Sequence, residues 1–233
     1  MKSLRCLIIT TSNYKLENTT NTTGVWLEDL AAPYFIFKDS GEHITLASPK
    51  GGLIPLDISS QSEKYITVNT KRFRENDQAM YHFSHSLPLN EIKAENFDLV
   101  FFSGGYGAMF DFDNNEILQA ILSDFYYQNK PIGLVGHAIV ALLAFSINSA
   151  DSFVKDRKLT SFSNSEESSI GVAEKPPFLL ETKLRSSGAL YSNGPDFKSN
   201  VVIDGSIITG QNPASSIETA RQTLMMAHKQ HAV

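Results

Sequence analysis

The chain is predicted to be an α/β protein with a doubly wound, mostly parallel sheet sandwiched by helices. Three observations predict it. Short apolar and β-branched runs at 4–10, 43–47, 98–102 and 131–135 have the continuous hydrophobicity of strands buried on both faces. Segments of helical periodicity separate them, so strands and helices alternate. The 233 residues, 42% apolar and 19% charged, suffice for one sizeable core, and a single domain is expected across 1–233.

Residues 4–10 supply the first strand, with Cys6, the only cysteine, as a small core residue. A polar loop over 11–23 follows. Its Asn18-Thr19-Thr20 and Asn21-Thr22-Thr23 triplets fit the glycosylation pattern and are expected to be chance matches, since no export signal precedes them. Residues 24–40 place Trp26, Leu30, Tyr34 and Phe37 on one helical face, with Pro33 bending or restarting the helix and Gly41 stopping it. After the 43–47 strand, Ser48-Pro49-Lys50-Gly51-Gly52 is a turn without the spacing of a phosphate-binding loop. Residues 71–86 read as one helix. Its basic start (Lys71, Arg72, Arg74) is balanced by Glu75 and Asp77, and His82 and His85 lack a third ligand for a metal.

The 98–102 strand runs into Ser103-Gly104-Gly105-Tyr106-Gly107, glycines at the sheet edge where α/β proteins place their sites. A helix over 115–128 leads to KPIGLVGHAIVALLAF at 130–145, which the chain is organised around. Strand, tight turn at Gly136-His137 and immediate helix make a nucleophile elbow, but its apex is glycine, which has no side chain to attack anything. Beyond it the pattern predicts a strand at 159–162, a loop or helix start with two carboxylates at 163–167, and a helix at 177–187. A hairpin follows, 201–203 and 207–209 across Asp204-Gly205. Asn212-Pro213 then caps a final helix at 214–227.

A net charge of −5 and a pI near 5.7 argue against nucleic-acid or acidic-membrane partners. The apolar run at 6–9 is too short for a signal peptide or a membrane span, so a cytoplasmic location is expected.

Seven stretches in chain order carry a resemblance: GVWLEDLAAPYFIFKDSG, LASPKGG, FFSGGYGAMFD, GLVGHAIVALL, SFSNSEE, PPFLLETKL and ITGQNPASS. Together they resemble the ThiJ/PfpI (DJ-one-like) superfamily, of the flavodoxin-like, class I glutamine amidotransferase-like fold. TGQNPASS with SFSNSEE is most similar to its glyoxalase III and stress-chaperone subgroup, which converts methylglyoxal to D-lactate without a cofactor. In that family the elbow reads Cys-His-Gly, a glutamate stands beside the cysteine, and a second carboxylate orients the histidine. The resemblance carries these positions onto Asp29 (glutamate), Gly136 (cysteine), His137 (histidine) and Glu167 (orienting carboxylate). It places oxyanion donors at Gly105 and the His137 amide, within a substrate-binding set of Gly104, Gly105 and Tyr106, where Tyr106 replaces a histidine. No metal or cofactor is implied, and a homodimer is.

The departures gather at the reaction centre, and two readings follow. The leading one is a pseudoenzyme with a binding, chaperone-like or regulatory role in stress or carbonyl metabolism, its partner a small carbonyl compound or an unfolded protein. There His137 only caps the elbow helix or bonds a neighbouring carboxylate, Glu167 is a surface carboxylate, Asp29 a helix-face residue and Tyr106 a plug. The alternative is a non-covalent hydratase or lyase, turning methylglyoxal into D-lactate with Asp29, Tyr106, His137, Glu167 and a water.

Overall fold

The structure, a computed structural model, describes residues 3–16, 22–145, 152–171 and 176–232. In chain order the elements are β1 (Arg5–Ile9), α1 (Leu27–Asp39), β2 (His43–Ser48), α2 (Val68–Glu75), α3 (Asp77–Ser84), β3 (Leu87–Pro88) and β4 (Leu99–Phe102). Then come α4 (Ala108–Asp111), α5 (Glu116–Tyr127), β5 (Ile132–Val135), β6 (Lys158–Leu159), α6 (Asn164–Ser169), α7 (Leu180–Ser186) and β7 (Leu190–Tyr191). The hairpin strands β8 (Val201–Asp204) and β9 (Ile207–Gly210) and helix α8 (Ser216–His231) complete the chain.

Seven strands form one sheet in the order β3-β2-β1-β4-β5-β9-β8, parallel except for the antiparallel β8–β9 hairpin. The predicted doubly wound sandwich is therefore what the chain adopts. Strand periodicity divides the core into two layers. Leu7, Ile9, Val100, Phe102, Ile132 and Leu134 point to one face, packed by α5 and α7. Cys6, Ile8, Leu99, Phe101 and Val135 point to the other, under α1 and α8.

Several expected elements differ. The helix anticipated over 71–86 is two helices: the Asn76 side chain accepts from the Ala79 amide and starts α3 as the last turn of α2 ends. The strand anticipated at 159–162 is only Lys158–Leu159, paired with β7 outside the main sheet. After the elbow comes a 3-10 helix, Gly136–Leu142, rather than an α-helix. The triplet at 18–20 and Asn21 lie outside the described residues. His82 bonds the Tyr34 hydroxyl through Nδ1, and His85 stacks on Tyr81 at 4.4 Å. Among the described residues no helix is long and apolar enough to cross a membrane.

Candidate active site

The carboxyl ends of β1, β4, β5 and β9 meet the amino end of α1, and the candidate residues gather there. At the end of β5 the chain reverses through Gly136 at φ +59, a left-handed conformation that glycine adopts without steric cost. A side-chain carbon added at Gly136 would lie 3.4 Å from Asp29 Oδ2, so the elbow aims position 136 at that carboxyl. At Gly104 such a carbon would come within 2.5 Å of the same oxygen, and at Gly105 within 2.4 Å of the Gly24 carbonyl. The glycine pair thus lets the turn after β4 press against the start of α1, where the Trp26 amide donates to the Gly104 carbonyl at 2.9 Å.

His137 follows the apex and is buried between the rings of Tyr106 (4.3 Å between centroids) and Phe162 (4.8 Å). Its Nε2–H donates to Glu167 Oε1 at 2.7 Å, since a carboxylate only accepts. Glu167 is 1% exposed, not the surface carboxylate of the leading reading. Its placement comes from the Ser163–Glu166 capping box, which fixes the first turn of α6. The other carboxylate oxygen, Oε2, accepts from the Tyr106 hydroxyl. Burial, then the adjacent Glu167 charge, push the Tyr106 pKa far up, so this phenol remains a donor. Tyr106 therefore orients Glu167 rather than acting as a plug. With Nε2 engaged, His137 Nδ1 has no hydrogen-bond partner among the described residues.

Asp29 joins neither hydroxyl nor imidazole of this triad. Its Oδ1 accepts from Ser216 Oγ at 2.8 Å, across from the start of α8. Burial drives its pKa up to about 8, with the Ser216 bond pulling the other way and the Glu28 charge adding to the rise. Near neutral pH it is predominantly a carboxylic acid. Asp29, Tyr106, Gly136 and His137 all line one cavity of about 200 Å³, which Gly105 and Asn212 also border. The expected positions are thus together, except that Gly104 serves packing and Glu167 stands behind His137 and Tyr106 rather than in the cavity wall.

Sequence reasoning missed Glu166, Asn212, Ser216 and the aromatic wall of Trp26, Tyr65, Phe162 and Phe197. The Ser-x-x-Glu spacing at 163–166 and the Asn-Pro at 212–213 were signals for two of them. Phe197 sits in a segment with no periodicity to flag it.

A parallel sheet with a glycine-bent strand–turn–helix, and a paired histidine and carboxylate above its carboxyl edge, defines a flavodoxin-like α/β protein with an elbow-type candidate site. The chain belongs to the DJ-1/PfpI family, whose sequence pattern matches residues 22–226. It is 28% identical to a glutathione-independent glyoxalase of Schizosaccharomyces pombe, over 88% of each chain. It is 26% identical to glyoxalase 3 of Candida albicans, over 94% of this chain and 95% of that one. Among solved structures, the 24 kDa rapid encystment protein of Francisella tularensis superposes with a TM-score of 0.91 at 32% identity, covering 96% of this chain and 99% of the other.

Proposed function

We propose that the chain is a glutathione-independent glyoxalase working without a covalent intermediate, isomerising a hydrated α-oxoaldehyde to a 2-hydroxy acid, methylglyoxal to D-lactate. The glyoxalase names of the relatives support this over the pseudoenzyme. The observation that carries it is one cavity lined by a carboxylate-anchored imidazole whose Nδ1 has no partner among the described residues and, separately, by a carboxyl group whose pKa burial raises to about 8.

The aldehyde hydrate already carries the second oxygen that becomes the carboxyl, so no nucleophile is needed at Gly136. His137 Nδ1 takes the proton from C1, and the electron pair forms the C1–C2 double bond as the C2 carbonyl becomes hydroxyl. Asp29 gives its proton to that oxygen and takes one from a C1 hydroxyl. The imidazolium then returns a proton to C2, and C1 becomes the carboxyl. Substrate hydrate and product have the same formula, so atoms and electrons balance without a co-reactant. Glu167 stabilises the imidazolium and holds its orientation, and Tyr106 holds Glu167. The amides of Gly105 and His137 are the donors assigned to the developing oxyanion.

The test is lactate formation from methylglyoxal without glutathione. Wild type should turn over, His137→Ala should lose about 10²–10⁴-fold, and Cys6→Ala should match wild type. Cys6 is buried in β1, and burial pushes its thiol pKa far up. An inactive wild type, or loss of activity in Cys6→Ala without loss of fold, would overturn the reading.

A further inference from the structure

We propose that the apolar side of this cavity is a subsite for an aromatic ring, so that the substrate is an α-oxoaldehyde with an aryl or similarly bulky substituent. This rests on the reaction proposed above and adds the group that the site selects.

The cavity is chemically two-sided. Asp29, His137 and Asn212 supply its polar groups, while Trp26, Tyr65, Phe162 and Phe197 line much of the rest. Its volume is about 200 Å³. An apolar cavity of roughly 150 Å³ already accommodates benzene. Methylglyoxal, with five non-hydrogen atoms, would leave the aromatic wall uncovered. A phenyl substituent would fill it.

The wall is built rather than incidental. Trp26 and Tyr65 meet edge to face, 4.8 Å between centroids at 73°. Phe162 packs on His137 and faces Phe197 at 6.4 Å. Phe197 is 45% exposed and holds φ +57, a conformation uncommon for a bulky residue. Its amide donates to Glu166 Oε1 at 2.8 Å. The same oxygen accepts from Asn212 Nδ2 at 2.7 Å, and Oε2 accepts from the Ser163 amide at 3.0 Å. Glu166 is fully buried. One carboxylate therefore fixes both the ring at the mouth and a polar group of the wall. Core packing gives no reason to hold a half-exposed phenylalanine in a strained backbone, whereas a ligand wall does.

Trp26 is the only tryptophan, so its fluorescence reports occupancy directly. Mandelate and lactate, the aryl and methyl 2-hydroxy acids, are titrated against the whole protein, and kcat/KM is measured for phenylglyoxal and methylglyoxal. We expect mandelate to bind at least tenfold more tightly than lactate, and phenylglyoxal to be preferred at least tenfold. Phe197→Ala should remove most of both preferences, lowering phenylglyoxal turnover by more than methylglyoxal turnover, within the usual reach of one apolar contact. Equal affinities, with methylglyoxal turned over as well as phenylglyoxal, overturn the ring subsite and leave the reaction standing. A mandelate preference with neither aldehyde turned over supports the ring subsite and overturns the reaction.

Discussion

The two ends of the sheet both bury carboxyl groups and use them in opposite ways. At the amino ends of the strands, Asp98 accepts from the Arg5 amide at 2.7 Å and lies 3.3 Å from the Arg5 guanidinium and 3.5 Å from His231. Glu42 accepts from the Leu4 amide and pairs with His228 at 3.0 Å. Burial works to raise the Asp98 pKa, but the Arg5 hydrogen bonds and charge, with His231, outweigh it and hold the group below the usual carboxylate range. At the carboxyl end, Asp29 is almost fully buried and has one side-chain donor among the described residues, Ser216, and burial wins. Depth of burial together with the number and charge of the donors, not residue type, separates a structural clamp from a stored acid. The clamp also ties the end of α8 to the amino edge, while the start of α8 carries the Ser216 that touches the acid.

Removing the acid tests that contrast most strongly. Asp29→Asn should lower glyoxalase activity by about 10²–10⁴-fold and yet stabilise the fold. The native carboxyl, titrating near 8, stays protonated where an unfolded aspartate, near 3.8, is ionised. The native state then binds more protons between those values, so its stability falls as pH rises from about 4 to about 8 and levels off beyond. The asparagine variant lacks this fall. Its melting temperature should exceed that of wild type by more at pH 8 than at pH 5, and a gain that is largest at acid pH would contradict the assignment.

The clamp should give a smaller effect of the other sign. Asp98→Asn keeps the shape but loses charge-assisted bonds, costing about 1–3 kcal/mol, or roughly 2–4 °C in melting temperature per kcal/mol for a chain of this size. The folded pKa is depressed, so the contribution is present above about 3.8 and lost as pH falls through the lower folded value. The deficit of the variant should therefore shrink in acid melts. Activity per folded molecule should be unchanged, and a specific loss of turnover would break the division between the two ends.

Local rules made the scaffold legible. The buried strands, the elbow, the cap at Asn212 and the β8–β9 hairpin each follow from a few adjacent residues. The break at Asn76 was hidden because apolar periodicity continues through it, although asparagine is a natural helix start. At the site, the family resemblance placed Asp29, His137 and Glu167, but their states depend on contacts distant in sequence. Glu167 is buried because Tyr106 and His137 close over it. Asp29 is an acid because α1 and α8 meet around it, residues 187 apart sharing a hydrogen bond. Phe197 and Glu166 acquire their place only when two loops converge.

The proton route can be tested directly by running methylglyoxal turnover in D2O and reading the hydrogen at C2 of the lactate. Removal of the C1 proton by His137, in a cavity whose mouth is a half-exposed Phe197, predicts deuterium at C2 drawn from solvent. Lactate whose C2 hydrogen comes wholly from the aldehyde carbon would mean a hydride shift and contradict acid–base catalysis by His137 and Asp29.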